Sequence, residues 1–598
     1  MKKRTCFFYI LWLGIKCTGQ VPYNVSITNG TVEAVLSGSY EANAFSTGED
    51  PGTIQQLSSY IAGATSADSL RSFMDDMISF HNRHTHSDTV SASTGIGAAR
   101  RWLYEKIGSL PAATDGRLLG AYMDFQIGAN GSCGPGVFRN IMAVLPGTRG
   151  AEAEIVLLEA HYDTRCEDPC DTECVALGAD DNTSGSALLL EACRILSARK
   201  YDHTIVFLWT VGEEQGLYGA TAFAQYASLH QWPIRAVLNN DIVGGIRCGQ
   251  TSSPPSCSPT GGEDSTHLRI FSYGMDMSVH KDLSRFVVQN YNEHLRPCAA
   301  TAIEITIQAL EDREGRGGDH IPFRQRGYPA IRFTSSFEHG DGNPMGAYSD
   351  HQHTSEDVLG IDTDGDEIID SFFIHFPYLA RNTQINAVAA GALAMAPPAP
   401  QVSIFSQQNE HYIILETNVP VLDYRYALRM PDSLHWHNLY TTSGNFLFAM
   451  PGLMAGQSYL INGGFTDIKG YPSLLSTDIL LIPAYSSSSS LTPGFVGNEP
   501  YCANTSAEFY NQSPYPLLIL PNPANNEIHL YWKSVDAEVK NIIVYNPNGE
   551  RITQLPANGL AMPSKINTSA WPDGIYYVAL QDKQGNYSSQ AARILILH

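Results

Sequence analysis

Apolar residues recur in two periods along the middle of the chain. Glu154 to Glu159, Thr204 to Thr210, Arg235 to Asn239, Ile303 to Ile307 and Ala330 to Thr334 are short, largely apolar runs. That is the pattern of strands covered on both faces. Between them, Ser184–Ala198, Tyr218–Ser228 and Lys281–His294 repeat at helical spacing. The alternation predicts an α/β fold: a mixed, mostly parallel sheet flanked by helices. Upstream, Ala67 to Phe80 and Ala98 to Ile107 read as amphipathic helices, and an Ala-rich helix over Ile385 to Ala396 ends the region before Pro397-Pro398.

The flanking segments have a different texture. Residues 20–65 are rich in Ser, Thr and Gly with little periodicity, which predicts an extended arm or a propeptide. Residues 398–484 show short alternating strands and no helix. Tyr485 and five serines, 486–490, open a Ser/Pro-rich linker over 485–514. Residues 515–598 are all-β again, with turns at Asn525-Asn526, Asn548-Gly549 and Asp573-Gly574. Two all-β sandwich domains are therefore expected after the α/β region.

At the start of the chain, Lys2-Lys3-Arg4 precede an apolar stretch from Cys6 to Ile15, and Gly19 offers a small residue for cleavage. Residues 1–19 read as a signal peptide. That stretch is too short to span a bilayer, and no transmembrane helix is expected elsewhere. With 37 basic and 60 acidic residues, the chain carries a formal charge of −23, which disfavours nucleic acid and anionic lipid as partners. Outside the cytoplasm, cysteines are disulfide candidates. Cys166, Cys170 and Cys174 lack a fourth ligand for a zinc knot, Cys248 and Cys257 bracket a loop they could staple, and Cys193 on a core-facing helix is the expected free thiol.

The chemistry sits just after successive strands. His161-Tyr162-Asp163 follows the first, and Gly178-Ala179-Asp180-Asp181-Asn182-Thr183-Ser184-Gly185 opens a helix. Gly212-Glu213-Glu214 follows the second strand, Asn239-Asn240-Asp241 ends the third, and Asp350-His351-Gln352-His353-Thr354-Ser355-Glu356-Asp357 lies downstream. Open α/β sheets bind ligands at the carboxyl ends of their strands. Two imidazoles and several carboxylates suit a divalent metal, zinc above all. Three carboxylates and two histidines exceed what one open catalytic ion needs and suit two ions sharing a carboxylate. One glutamate of the Glu213-Glu214 pair is then free to act as a general base.

These blocks, in this order over roughly residues 66–397, resemble the M28 family of co-catalytic zinc aminopeptidases, with a zinc-exopeptidase-like fold. The resemblance implies two Zn2+ per chain. His161 and Asp241 would hold one, Glu214 and His353 the other, and Asp181, with a cis bond to Asn182, would bridge them. It makes Glu213 the base that takes a proton from a metal-bridging water, and Asp163 the acceptor that fixes the tautomer of His161. Where relatives can use a tyrosine to steady the oxyanion, Gln352 stands here, with Tyr348 a candidate. Asp319 and His320, in a further block that resembles the family, are expected as support or rim residues. Asp362-x-Asp364-Gly365-Asp366 looks like a calcium loop, but Glu367 and Phe373 stand where an EF-hand needs Gly and Glu. An acidic helix start is expected instead. Histidines 81, 84, 86 and 351 are expected to be solvated.

Residues 398–484 resemble a fibronectin type III domain, with Leu453 and Tyr459 spaced as in that fold's tyrosine corner. Residues 515–598 resemble the type A C-terminal sorting domain of the type IX secretion system. Leu520-Pro521-Asn522-Pro523-Ala524 and Trp571-Pro572-Asp573-Gly574-Ile575-Tyr576-Tyr577-Val578 carry that resemblance. It implies passage through that machinery in a Gram-negative bacterium, release or surface attachment outside the cell, and removal of the sorting domain. The whole reads as a secreted, monomeric dizinc metallopeptidase acting on peptide or protein substrates, an aminopeptidase by family. A glutaminyl cyclase on the same fold and a non-catalytic binding protein are the alternatives.

Overall fold

The computed structural model describes residues 21–247, 262–313, 316–337, 351–366, 369–407, 410–443 and 446–487, and most of the strand residues between 517 and 596. The signal-peptide reading, the Cys248–Cys257 staple and Tyr348 lie outside the described residues. No helix among the described residues is long and apolar enough to cross a membrane.

Nine strands form one sheet: β1 (Tyr23–Ile27), β2 (Leu119–Ile127), β3 (Gly136–Leu145), β4 (Ile155–His161), β5 (Thr204–Thr210), β6 (Ile234–Asn240), β7 (His267–Ser272), β8 (Glu304–Ile307) and β9 (Ala330–Ser335). Their order is β1-β2-β3-β5-β4-β6-β9-β7-β8. β5, β4, β6 and β9 run parallel at the centre. β1, β2 and β3 form an antiparallel flank, and β7 returns antiparallel to β9 with β8 parallel to it. The sheet is therefore mixed, and its central parallel strands are ones that the apolar runs predicted.

Every residue of β4 and β5 is buried. Alternate side chains serve opposite faces. Ile205, Phe207 and Trp209 join the core beneath helices Gly185–Leu196 and Phe376–Met395, whereas Val206 and Leu208 join the core under helix Tyr218–Leu229. Helix Phe376–Met395 begins nine residues ahead of the expected Ile385. The polar stretch that hid its start is buried too: Asn382 Nδ2 donates to Val243 O (2.8 Å) and Thr383 Oγ1 to Leu379 O (2.8 Å).

Residues 21–65 form more than an extended arm. β1 is an edge strand, Gly30–Leu36 and Ile54–Ala64 are helices, and Ile54, Leu57 and Ile61 enter the main core. Thr53 and Gln56 make a reciprocal capping box at the second helix. With elements this short and serine and glutamine on the outer faces, the sequence showed no clear period.

Residues 401–481 build two antiparallel sheets. One pairs Gln401–Gln407, Glu410–Glu416 and Leu447–Ala449; the other pairs Asn438–Ser443, Val421–Arg429, Tyr459–Asp467 and Ile479–Leu481. The Tyr459 hydroxyl accepts from Met454 N (3.1 Å). This sandwich is fastened to the α/β region by Arg425 on Glu293 (2.7 Å), by Arg285 Nε on Leu434 O (2.9 Å) and by Tyr471, buried in the main core. The C-terminal unit is a separate pair of sheets around Ile528, Leu530, Val544, Val578, Leu580 and Ile594.

Cys166 pairs with Cys174 and Cys170 with Cys133, so the three-cysteine cluster forms disulfides as expected, and Cys193 is free and buried. Two expectations fail. Asp362, Asp364 and Asp366 sit on an exposed turn rather than at a helix start. Gly365 there has φ +82°, and Asp362 Oδ1 accepts from Gly365 N (2.7 Å), so Asx-turn chemistry takes precedence over helix capping. Of the four histidines, only His81 is exposed. His84 is fully buried against Pro169 O, His86 lies on Phe138, and His351 is buried against Phe373.

Candidate metal centre

The four parallel strands end at one rim. His161 is the last residue of β4, Glu213 and Glu214 follow β5 by three and four residues, and Asp241 directly follows β6. Asp181 lies on the turn that opens helix Gly185–Leu196, where Asp181 and Asn182 leave helical geometry (φ −107°, ψ 92° and φ −131°, ψ 51°). Gly178 enters that turn with φ +51°. A Cβ there would lie 2.2 Å from Thr164 Cγ2, so only glycine fits. The Asp181–Asn182 bond is cis, as the resemblance implies, and so is Asp241–Ile242, which the sequence reading missed.

All five expected ligands converge, in two overlapping triads. His161 Nε2 is 3.2 Å from Asp181 Oδ1 and 3.7 Å from Asp241 Oδ1. His353 Nε2 is 3.2 Å from Asp181 Oδ2 and 3.1 Å from Glu214 Oε2. Asp181 thus offers one oxygen to each triad. His161 is 1% exposed and its Nε2 has no hydrogen-bond partner, whereas His353 is 24% exposed. An orphaned buried imidazole nitrogen facing carboxylate oxygens is the donor set of a divalent N/O-ligated metal such as zinc.

Electrostatics agree with that chemistry. Burial opposes charge on both imidazoles, but the surrounding carboxylates win: His161 is raised well above its ordinary pKa and His353 is pushed up to about 10. Asp181 is held well below the usual carboxylate range, because the two histidines outweigh its burial. Glu213 goes the other way. Burial, reinforced by Asp241, Glu214 and Asp319, drives its pKa well above the ordinary value. Pairs of acidic groups driven apart in this way mark acid–base sites.

Several supports were not visible in the sequence. Arg332, fully buried within β9, donates to Asp241 O (2.5 Å), pairs with Asp241 Oδ2 (3.0 Å) and reaches Asp312 (3.1 Å). A lone arginine inside an apolar strand was the available signal. Asp357 was visible only as part of a motif. Its backbone oxygen and both carboxylate oxygens accept from the consecutive amides of Ala179 (3.0 Å), Asp180 (2.9 Å) and Asp181 (2.9 Å), which ties the His353 segment to the shared aspartate. Arg83 is fully buried and donates to Tyr162 O, Gly178 O and Thr183 Oγ1. Arg165 reaches both Glu214 and His353.

Asp163 sits as expected, but the contact differs. His161 Nδ1 is 3.1 Å from the backbone oxygen of Asp163 and 3.7 Å from its carboxylate. The carboxylate accepts from Thr85 Oγ1 (3.1 Å) and faces the amides of Glu213 and Glu214 (3.4 Å each). Asp319 and His320 are buried supports outside both triads. Asp319 Oδ2 accepts from Thr210 Oγ1 (2.5 Å), and His320 Nε2 contacts Glu311 O (3.0 Å). Gln352 is buried and contacts Arg316 (2.7 Å).

A mixed α/β sheet with two carboxylate-bridged N/O triads at its carboxyl rim defines a metallohydrolase class. Residues 140–375 match peptidase family M28, and residues 518–594 match a secretion system C-terminal sorting domain. A probable zinc metalloprotease of Leptosphaeria maculans is 31% identical over 345 residues, spanning 56% of this chain and 76% of that protein. Another, of Pyricularia oryzae, is 33% identical over 341 residues, spanning 55% of this chain and 64% of its own length. The chain belongs to peptidase family M28, a family of zinc metallopeptidases. Among solved structures, the LapA aminopeptidase of Legionella pneumophila is similar with a TM-score of 0.40 at 19% identity over 57% of this chain and 74% of that one. The glutaminyl cyclase of Porphyromonas gingivalis has a TM-score of 0.36 at 19% identity, over 54% and 97%.

Proposed function

We propose that the protein is a secreted dizinc aminopeptidase that removes N-terminal residues from peptides. The observation that carries this reading is the placement of Asp181, with one oxygen 3.2 Å from each histidine of two triads that otherwise share nothing. His161 and Asp241 would hold one Zn2+, Glu214 and His353 the other, with Asp181 common to both. Zinc bound there supplies Lewis acidity toward the scissile carbonyl and lowers the pKa of water.

The remaining steps belong to the chain's own residues. Glu213, whose carboxyl is biased toward holding a proton, takes one from the attacking water and gives it to the leaving amine. Asp163 holds the Glu213-Glu214 backbone and, through its carbonyl, the ring of His161. Arg332 fixes Asp241 from behind. The sorting domain and the expected leader favour secretion through the type IX machinery of a Gram-negative bacterium, to the medium or the cell surface. The three- and four-stranded sheets of residues 401–481, with the Tyr459 contact, favour a fibronectin type III-like spacer.

A panel of free and N-blocked peptides, assayed with and without a chelator beside a zinc determination, tests the reading. Two zinc per chain with chelator-sensitive release of unblocked N-terminal residues is expected. One zinc per chain, or turnover of blocked peptides only, would overturn it. Glu213→Gln should keep its zinc and lose about 10²–10⁴-fold in turnover.

A further inference from the structure

Arg83 lies beside the centre, and none of its hydrogen bonds goes to one of the five ligands. It is fully buried, and its five guanidinium N–H groups meet five neutral acceptors. Nε donates to Tyr162 O (3.0 Å), and Nη1 to Leu177 O (2.8 Å) and Met77 O (3.1 Å). Nη2 donates to Gly178 O (3.3 Å) and Thr183 Oγ1 (2.6 Å). Arg235, Arg332 and Arg429 are also buried, but each pairs with a carboxylate. Burial of a charge is unfavourable unless it is hydrogen-bonded and paired, so ion pairing does not account for Arg83. What its five bonds have in common is the placing of backbone.

Three of the acceptors lie on the segments that carry His161 and Asp181. Tyr162 directly follows His161 at the end of β4. Gly178 and Thr183 stand on either side of Asp181, and the Thr183 hydroxyl donates to Gly178 O (2.6 Å), so Nη2 sits at the neck of that turn. The near end of Arg83 is fixed as well: its N donates to Thr164 Oγ1 (3.1 Å), and Thr164 N donates to its O (3.2 Å). Through Met77 O the guanidinium is anchored to helix Ala67–Ile78, whose Leu70, Met74 and Met77 enter the main core. A guanidinium is planar and presents its donors at fixed angles. The gap between the β4 exit and the turn is therefore set by the width of one rigid group.

We propose that Arg83 is a positioning residue: by joining the exit of β4 to the neck of the 178–183 turn, it sets the separation of His161 from Asp181 and with it the spacing of the two metal positions. This rests on the dizinc reading. Arg83 acts through backbone and does not meet substrate, so its replacement lowers metal affinity and kcat and leaves KM nearly unchanged.

The test uses the full chain with Arg83→Lys, which keeps the charge but offers three donors on a flexible stem. Thr183→Val removes a single acceptor and serves if Arg83→Lys does not fold, and Thr183→Ser keeps the hydroxyl. Arg235→Lys makes the same change at a buried arginine at the far end of β6 from Asp241. Arg83→Lys should bind zinc about 10–100-fold more weakly and lose kcat with KM nearly unchanged. The absorption spectrum of its cobalt-loaded form should shift. Thr183→Val should move in the same direction by less, and Thr183→Ser should restore the original values. Arg235→Lys should lower thermal stability and leave zinc affinity, cobalt spectrum and kcat unchanged. Original affinity, spectrum and kcat in both Arg83→Lys and Thr183→Val, or equal losses in Arg235→Lys, would overturn the proposal. If the unaltered chain binds fewer than two zinc or hydrolyses no peptide, the dizinc reading fails instead. Hydrogen exchange of the zinc-free chain then still decides whether Arg83 holds the turn: the amides of Asp180, Asp181 and Thr183 should exchange faster in Arg83→Lys and not in Arg235→Lys, and unchanged exchange would refute it.

Discussion

The two halves of the centre share Asp181 and are held by different means. His161 and Asp241 project from the ends of β4 and β6 with side chains 1% and 5% exposed, and Arg332, itself on the neighbouring β9, grips Asp241 through backbone and carboxylate. Glu214 and His353 lie on segments beyond their strands, and His353 is 24% exposed. The segment of His353 is tied to the rest by one residue, Asp357, whose backbone carbonyl and carboxylate together accept from three successive amides. The first half is set by the sheet and the second by a clamp. The sheet-held ion should therefore be the tighter, and the clamp-held ion the one that can be lost first.

The largest loss should follow from removing what the halves share. Asp181→Ala should empty both: zinc per chain falls toward zero and turnover drops by more than about a hundredfold. Elemental analysis beside a peptide assay reads both. Retention of one zinc with normal turnover would mean that the halves do not depend on a common carboxylate.

Next in size, the single-half variants should differ in kind. Asp241→Ala takes away one of the two carboxylates that Arg332 grips and leaves a fully buried guanidinium to Asp312 and to backbone oxygens. Breaking a buried pair costs about 3–5 kcal/mol. Thermal unfolding of the zinc-free variant should fall by several degrees, and the sheet-held ion should go. Glu214→Ala removes a side chain that is itself 3% exposed, but its charged partners Arg165 and His353 are 20% and 24% exposed and can be hydrated. It should leave unfolding nearly unchanged and one zinc bound. Equal thermal losses in the two variants would erase the distinction.

This asymmetry also explains what the sequence could and could not tell. Ligands that directly follow an apolar run, such as His161 after Glu154–Glu159 and Asp241 after Arg235–Asn239, announce themselves, because strand ends are where ligands gather. Their order and spacing carried Glu213, Glu214, Asp181 and His353 as well. The braces were not legible, because a brace is defined by a partner distant in the chain: Arg332 by Asp241 and Asp312, and Asp357 by the 179–181 turn. The same reason hid β1 and β2, whose partly exposed positions break the continuous apolar run and whose identity comes from pairing that only the fold supplies.

Asp357→Asn makes a smaller change, confined to the second half. The amide keeps the shape, but its NH2 must face a backbone N–H where a carboxylate oxygen accepted one. Affinity for the clamp-held zinc should fall about 10–100-fold, while the sheet-held zinc is unaffected. Competition with a graded series of chelators would show this as one weakened site of two. Two equally weakened sites would mean that Asp357 supports the whole rim.

The smallest expected effect is on pH dependence. In the zinc-free protein, burial resists charge on His353, but Glu214 and Asp181 hold it protonated up to about pH 10. Zinc must displace that proton, so affinity at this half should rise by up to about tenfold per pH unit between pH 6 and 8. The stability of the zinc-free protein runs the opposite way. The folded pKa lies above the unfolded value of about 6.5, so the ion-pair contribution is complete below pH 6.5 and is lost as pH rises through about 10. Zinc removal should therefore lower thermal stability more at pH 9 than at pH 6, and His353→Gln should flatten that difference without abolishing it, since His161 is also held protonated by its carboxylates. An unchanged pH difference in His353→Gln would place the whole effect on the sheet-held half, and the two halves would then differ in exposure but not in proton coupling.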